Sequence, residues 1–108
     1  MVPRIHKATI GNLSGLLHAG KPVVVDFWAN WCAPCHVMTP ILRDLAKEFD
    51  GLVTFAKVDV QNNNDLAEQF EIWSLPTFVF FKKGKEWYRV SGVKSRQQLR
   101  KILKKLAS

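Results

Sequence analysis

The stretch Val23–Pro40 reads VVVDFWANWCAPCHVMTP and indicates how the rest of the chain is organised. It opens with Val23–Phe27, a largely β-branched and aromatic run typical of a strand buried on both faces. Beyond Cys35 the apolar residues recur at helical spacing. The only two cysteines of the chain, Cys32 and Cys35, are therefore expected where a buried strand leads into a helix.

Length and composition indicate one globular domain spanning residues 1–108. The chain is 47% hydrophobic and 23% charged, and its 108 residues can enclose one core but not two. No apolar run reaches the roughly 20 residues of a membrane-spanning helix, and the start of the chain lacks the apolar block of a secretory signal. We therefore expect a cytoplasmic protein. In a reducing compartment, two cysteines three positions apart favour a catalytic or metal-binding role over a structural disulfide.

Hydrophobic periodicity divides the remaining sequence into short strands and helices. The predicted order is β-α-β-α-β-α-β-β-α, which implies an α/β fold whose sheet is parallel at first and is closed by an antiparallel hairpin. Pro40 should kink the long helix that follows Cys35, because proline cannot donate to the carbonyl of His36. The other predicted segments are an edge strand at Arg4–Lys7, a helix bearing Ile10, Leu13, Leu16 and Leu17 that Ala19-Gly20 stops, a core strand at Leu52–Val60, a short helix capped by an Asn of Asn62–Asn64, hairpin strands at Thr77–Phe81 and Glu86–Ser91, and a C-terminal helix with a capping box of Ser95 and Gln98.

The expected place of the dithiol at a helix start suits redox chemistry. A thiol reacts as the thiolate, and the unpaired N–H groups and positive dipole end of a helix N-terminus stabilise that anion. We expect Cys32, first in the helix, to attack a disulfide, and Cys35, one turn further in and less exposed, to resolve the product. Pro34 suits an early helical position because it lacks an N–H. The Cys-X-X-Cys ring opens and closes with little change in backbone, which favours cycling.

Asp26 lies inside the predicted buried strand, where an unpaired carboxylate costs on the order of several kcal/mol. One interpretation is a structural partnership with Lys57, which falls in the neighbouring predicted strand. The other is a carboxyl of raised pKa beneath the dithiol that accepts the proton of Cys35, directly or through water. The two interpretations are compatible, and the residues alone leave both open.

The motifs around these residues resemble those of the thioredoxin family. Asp26-Phe27-Trp28-Ala29 is followed by Trp31-Cys32-x-Pro34-Cys35, and then by Lys57, Pro76-Thr77 and Gly92. A Cys-X-X-Cys alone is weak, but this combination is specific and covers essentially the full length. The resemblance implies the thioredoxin fold, a central mixed five-stranded sheet flanked by four helices, and reduction of disulfides in protein substrates.

The resemblance also implies an electron supply. A flavin-dependent thioredoxin reductase would re-reduce the chain with electrons from NADPH, and the chain itself would bind no metal or cofactor. Its expected partners are that reductase and disulfide-containing proteins. We expect a monomer without a nucleic-acid or membrane partner.

Pro76 by itself fits the start of a strand. The resemblance implies instead a cis-proline packed against the two cysteines, with the backbone of Leu75 pairing with the substrate chain as a strand would. It also implies a mostly apolar docking surface of broad substrate choice, in which Gly92 allows close backbone approach. The residues of this surface are Trp31, Ala33, Pro34, Trp73, Ser74, Leu75, Pro76, Gly92 and Val93.

Ala33 and His36 are two departures from the family pattern, which usually has glycine and lysine at these positions. Residues between the cysteines tune the reduction potential in this family, so its value does not follow from the resemblance. His36 is expected to face solvent and to modulate Cys32 through its charge. Trp28 and Trp31 flank the dithiol and are expected to pack beside it and shield the thiolate.

Other functions fit the sequence less well. Cys-X-X-Cys-His is also the attachment motif of c-type haem, but that use needs an export signal and a second axial ligand. A zinc site from both cysteines, His36 and a distant histidine has the wrong ligand spacing. An oxidase or isomerase of the same fold is disfavoured by Ala33-Pro34 and by the absence of a signal. A binding subunit of a larger enzyme would keep its function after Cys32→Ser.

Basic residues are concentrated in the last third of the chain. Residues 1–71 carry 6 Lys and Arg against 8 Asp and Glu, a net charge of −2, whereas residues 72–108 carry 10 against 1, a net charge of +9. Many of them fall on the polar face of the predicted C-terminal helix, where a solvated surface is the common case. The functional alternative is steering towards acidic partner proteins, for which reduction rates should fall steeply as ionic strength rises.

Overall fold

The computed structural model describes residues 5–108 and has the predicted element order. The described residues form one mixed sheet in the order β1-β3-β2-β4-β5, in which β1, β3 and β2 run parallel and β4 and β5 are antiparallel to their neighbours. The strands are β1 (Ile5–Lys7), β2 (Val23–Trp28), β3 (Thr54–Asp59), β4 (Thr77–Lys82) and β5 (Lys85–Ser91), and the helices are α1 (Leu13–Leu17), α2 (Ala33–Glu48), α3 (Asn64–Gln69) and α4 (Arg96–Ala107). This is the thioredoxin fold that the resemblance implied.

The central strand β2 explains the uninterrupted apolar run of the sequence. It lies between β3 and β4, and residues 23–27 are all buried because helices cover both faces of the sheet. Residues on one face pack against α2 and α4, and residues on the other face pack against α1 and α3. The largest fully buried side chains include Phe27, Met38, Leu45, Leu66, Phe78, Phe80 and Leu103.

Helix α1 is shorter than the periodicity predicts. The chain is still in a turn at Thr9, whose backbone N–H donates to Oδ1 of Asn12 at 2.7 Å, so the helix begins only after Asn12. Ile10 lies in this turn and is 59% exposed, so its assignment to the helix was wrong. The helix also ends at Leu17, before the predicted stop. Of the predicted edge strand, Arg4 lies outside the described residues.

Two further local predictions were wrong. Asn63 is the N-cap residue of α3, but its side chain makes no capping hydrogen bond, because Nδ2 donates to the backbone carbonyl of Asp59 at 2.9 Å. The strand predicted to start at Leu52 begins at Thr54, and Leu52 is exposed.

The capping box of α4 is present as predicted. Oγ of Ser95 accepts from the backbone N–H of Gln98 at 3.0 Å, and Oε1 of Gln98 accepts from the backbone N–H of Ser95 at 2.9 Å. The apolar stripe of α4 then covers the sheet, and two ion pairs, Arg96 to Asp44 and Arg100 to Glu48, join its polar side to α2. None of the described helices is long and apolar enough to span a membrane.

The capping box predicts a measurable contribution to stability. Ser95→Ala should lower the free energy of unfolding by about 1 kcal/mol, because the backbone N–H of Gln98 loses the hydroxyl that accepts its hydrogen bond. Urea denaturation of the disulfide form measures this. Gln97→Ala, in the same exposed turn but outside the box, is the matched control and should change stability by less than about 0.5 kcal/mol. Equal losses in the two variants would contradict a specific role for the cap.

Candidate active site

The dithiol lies at the junction of β2 and α2, as the sequence predicted. Cys32 is the N-cap residue of α2, with extended backbone angles (φ −90°, ψ 100°), and its Sγ accepts a hydrogen bond from the backbone N–H of Cys35 at 3.2 Å. It is joined to Cys35 by a disulfide. The prediction that Cys32 is the first helical residue was wrong by one position. The N-cap position is the one from which a side chain reaches the free N–H groups of the first turn.

The two sulfurs are not distinguished by exposure in this disulfide form. Cys32 and Cys35 are each 4% exposed, so the prediction of a less exposed Cys35 was wrong. The two cysteines differ in the hollow that each of them lines. Cys32 lines an open surface groove, whereas Cys35 lines a separate cavity beneath it, and the two hollows share no lining residue.

The groove beside Cys32 contains most of the predicted docking surface. Its volume is about 510 Å³. Two tryptophans border it and project into solvent, Trp31 at 68% exposure and Trp73 at 85%. The other predicted residues that line it are Ala33, Pro34, Ser74 and Leu75. The structure thus brings the start of α2, with Trp31 before it, next to the loop before β4, which lies about 40 positions away in the sequence.

The loop before β4 is held in place by hydrogen bonds. The Leu75–Pro76 peptide bond is cis, and Leu75 packs against the cluster that contains both cysteines. Oγ1 of Thr77 donates to the carbonyl of Ser74 at 2.7 Å and lies 2.9 Å from Oγ of Ser91. These contacts fix the backbone of residues 74–76 beside the groove before any substrate arrives.

Gly92 adjoins this loop. Its backbone N–H donates to the carbonyl of Pro76 at 2.8 Å. Its backbone is left-handed, with φ at +85°, which side chains disfavour. A Cβ at this position would meet no atom of the chain within 4 Å, and close approach of a substrate backbone stays a prediction. The exposed Val93 follows, and neither residue lines the groove itself.

The cavity beneath Cys35 contains the predicted proton acceptor. Its volume is about 260 Å³, which is room for several water molecules, and both polar and apolar side chains line it. Strands β2 and β3 supply Asp26 and Lys57, which are register partners, and α2 supplies the opposite wall. The residues that line the cavity are Ile5, Asp26, Trp28, Cys35, His36, Thr39, Leu42, Arg43 and Lys57.

Asp26 is a buried carboxyl without a direct partner. It is 9% exposed, and its Oδ1 is buried without a hydrogen-bond partner among the described residues. Burial raises the pKa of Asp26 from 3.8 to about 7, and the charge of Lys57 opposes this rise only in part. Near neutral pH the carboxyl is therefore poised between its two protonation states.

Lys57 is a neighbour of Asp26 but not its ion-pair partner. Within residues 5–108 no ion pair shorter than 4 Å joins the two side chains. The ammonium Nζ lies instead 5.5 Å from the ring centroid of Trp28, where the face of the indole attracts a cation. The positive charge thus acts on Asp26 across the cavity and leaves the carboxyl free to take up a proton.

His36 and Trp28 join the start of α2 to the loop before Cys32. Nε2 of His36 donates to the carbonyl of Asn30 at 2.8 Å, and its ring meets the edge of Trp28 with centroids 6.2 Å apart. His36 is exposed, as predicted, and also lines the cavity. Its predicted influence on Cys32 stays a prediction.

Several lining residues were not found by sequence reasoning. Val60, Ala67 and Ile72 line the groove, and Thr39 and Arg43 line the cavity. No local motif marks them, because α3 and the middle of α2 reach the site only through the packing of the sheet. Among the described residues, no group of three or more His, Cys, Asp or Glu side chains is placed to hold a metal ion.

Comparison with known proteins identifies the family. The thioredoxin family model matches residues 6–105. Similar proteins include a thioredoxin of Staphylococcus saprophyticus, 37% identical over 94% of this chain and 96% of that protein, and a thioredoxin of Mycobacterium bovis, 42% identical over 78% of this chain and 72% of that protein. The chain is also 40% identical, over 78% of its length, to 18% of a bifunctional thioredoxin reductase/thioredoxin of Mycobacterium leprae.

Solved structures agree with this assignment. The thioredoxin of Malassezia sympodialis superimposes with a TM-score of 0.89 at 30% identity, over 100% of this chain and 96% of that one. A mutant thioredoxin of Halobacterium salinarum superimposes with a TM-score of 0.92 at 26% identity, over 99% of this chain and 94% of that one. Fold and dithiol together define a thiol-disulfide oxidoreductase. The chain belongs to the thioredoxin family.

The burial of Asp26 predicts a pH-dependent stability. The folded pKa of about 7 lies above the unfolded value of 3.8, so ionisation destabilises the folded state as pH rises between these values. Asp26→Asn removes this penalty and should gain about 4 kcal/mol over the unsubstituted protein between about pH 4 and pH 8. Urea denaturation of the disulfide form across this range measures it.

Asp50→Asn, at an exposed aspartate, is the matched control and should follow the unsubstituted protein at every pH. Parallel stability curves for Asp26→Asn and the unsubstituted protein would show that Asp26 titrates normally.

Proposed function

We propose that this chain reduces disulfides in protein substrates, with Cys32 as the attacking residue, Cys35 as the resolving residue and Asp26 as the proton acceptor. The observation that carries the proposal is the Cys32–Cys35 disulfide at the N-cap of α2, with the substrate groove beside one sulfur and the cavity of Asp26 beside the other. A docked substrate would meet Cys32 without covering the cavity.

In the first step the Cys32 thiolate attacks one sulfur of the substrate disulfide. The substrate S–S bond breaks, its other sulfur leaves as a thiolate, and a mixed disulfide forms with Cys32. The N-cap position supports the reactive anion, because the backbone N–H of Cys35 already points at Sγ of Cys32 at 3.2 Å.

In the second step Cys35 resolves the mixed disulfide. Its thiol gives a proton to the Asp26 carboxylate, and the resulting thiolate attacks the sulfur of Cys32. The second substrate sulfur leaves as a thiolate, so the substrate gains two electrons and the protein is left with its own disulfide. A pKa of about 7 allows Asp26 to accept this proton and later release it near neutral pH.

The docking mode follows from the loop at Pro76. The backbone of Leu75 would pair with an extended substrate chain, while Trp31 and Trp73 contact it with apolar surface. Backbone pairing and apolar contact depend little on the substrate sequence. They would therefore allow the chain to reduce many different proteins. Ala33, in place of glycine, lines the groove with Cys32, and His36, in place of lysine, lines the cavity with Cys35. These are the residues through which this chain would set its own reduction potential.

Electrons would come from NADPH through a flavoprotein thioredoxin reductase. The Mycobacterium leprae relative, named as both a thioredoxin reductase and a thioredoxin, supports such a partner. The chain would act as a monomer without a bound cofactor, in the cytoplasm or an equally reducing compartment, where the dithiol form is maintained.

Trapping of the mixed disulfide with a substrate tests the division of roles between the cysteines. Cys35→Ser should accumulate a stable mixed disulfide with insulin, because resolution is lost, whereas Cys32→Ser should form none. Non-reducing electrophoresis and mass spectrometry detect the adduct, and both variants should lose catalytic turnover. An adduct in Cys32→Ser but not in Cys35→Ser would reverse the roles. Insulin reduction that survives in Cys32→Ser would exclude the mechanism and favour a binding subunit.

Substitution of two exposed tryptophans, one beside the groove and one on β5, tests the docking groove. Trp73→Ala should raise KM for insulin about fivefold or more with little change in kcat, because the contact lies beside the groove and not at the sulfurs. Trp87→Ala, on β5 and 41% exposed, is the matched control and should leave KM unchanged. The groove assignment would be wrong if both substitutions had the same effect.

A further inference from the structure

The basic residues of the last third differ in their surroundings. Arg89, Arg96 and Arg100 each form an ion pair with a carboxylate. Lys82 and Lys83 lie instead at the β4–β5 turn, where β4 pairs with the start of β2. The dithiol follows the other end of β2, so roughly 17 Å of strand separates this turn from the dithiol.

A basic hollow lies at this distal end of the sheet. Its volume is about 350 Å³, and it is lined by Lys21, Lys82 and Lys83 together with Leu17, His18, Gly20 and Pro22. Lys82 Nζ donates to the carbonyl of Ser108 at 3.1 Å, which holds the β4–β5 turn against the end of α4. Lys21 and Lys83 are exposed, and among the described residues neither has a carboxylate within 4 Å.

An apolar hollow adjoins the basic one. The two share Leu17 and His18, and the imidazole is held in place because its Nδ1 donates to the carbonyl of Ser14 at 2.8 Å. The second hollow has a volume of about 370 Å³, and its one lining carboxylate, Glu86, is already paired with Arg89. Its apolar lining residues are Ile10, Leu13, Leu17, Leu66, Phe70 and Phe81.

We propose that these two hollows together form a second docking site, which binds an acidic protein segment carrying an apolar side chain. Carboxylates of the segment would contact Lys21, Lys82 and Lys83, and the apolar side chain would enter the hollow beside Ile10. Ile10 is 59% exposed, so an apolar group already borders solvent at this place. The apolar side chain would gain by leaving water, and the charges would set the orientation.

The composition of the site favours a protein segment over other anions. The basic hollow is lined by no Phe, Tyr or Trp among the described residues, so it offers no stacking platform of that kind for nucleobases. Its cations are lysines, which act as point charges, and not arginines with a planar fork suited to phosphate. Because the basic hollow lies at the far end of the sheet from Cys32, carboxylates bound there leave the dithiol open, and the two hollows share no lining residue with the groove beside Cys32.

The probe for this site is a fluorescein-labelled peptide of glutamates with one central leucine. We expect saturable binding to the full chain in its disulfide form by fluorescence anisotropy, weakening as ionic strength rises. Lys21→Gln with Lys83→Gln should weaken binding about fivefold, whereas Lys104→Gln with Lys105→Gln, an equal loss of charge on α4, should change it less than about twofold. Insulin reduction should be unchanged in both variants, so the result is independent of the dithiol chemistry.

A second comparison tests the apolar hollow. An all-glutamate peptide should bind more weakly than the leucine peptide, and Ile10→Ser should remove that difference. Equal weakening in the two double lysine variants would reduce the site to general charge attraction. Tighter binding of oligothymidylate or of phosphatidylserine vesicles at the same ionic strength would assign the surface to a nucleic acid or a lipid and overturn the proposal. Absence of saturable peptide binding would also overturn it.

Discussion

Burial of the Asp26 carboxyl in the central strand is the constraint on which the active site depends. Every neighbour in β2 is apolar, and helices cover both faces of the sheet, so the carboxylate loses its hydration without gaining an ion pair. Burial raises the pKa of Asp26 to about 7, so ionisation of this carboxyl destabilises the fold near neutral pH. The same pKa would suit the proton acceptor proposed beneath the dithiol. Burial of this one carboxyl thus lowers the stability of the fold and would favour the proposed proton transfer.

The geometry around this group separates two tasks that a disulfide reductant must perform together. In the proposed mechanism, substrate would bind at the groove, which of the two cysteines only Cys32 borders, and proton transfer would take place in the cavity, which only Cys35 borders. The 16-residue helix α2 links the two, because its N-cap holds one sulfur and its first turn holds the other. The unequal roles proposed for the two cysteines thus rest on their surroundings, because their exposure is equal.

Several basic residues of the last third lie away from the dithiol. Many basic residues of the last third were expected on the solvated polar face of the C-terminal helix, and two of them there, Arg96 and Arg100, form ion pairs with α2. The lysines of the β4–β5 turn lie at the end of the sheet away from the dithiol, next to an apolar hollow. An attraction for acidic proteins would therefore hold a partner there rather than deliver a disulfide to Cys32.

The sequence by itself determined the element order, the burial of β2 and the place of the dithiol, because hydrophobic periodicity and the residues from Asp26 to Cys35 are local patterns. The predicted limits of α1 and the predicted capping bond of an Asn side chain were wrong, because each depends on a hydrogen bond that periodicity does not encode. Only the tertiary structure decided which hollow each sulfur borders, and how Lys57 relates to Asp26. Those relations join residues distant in sequence, and packing of the sheet and helices alone brings them together.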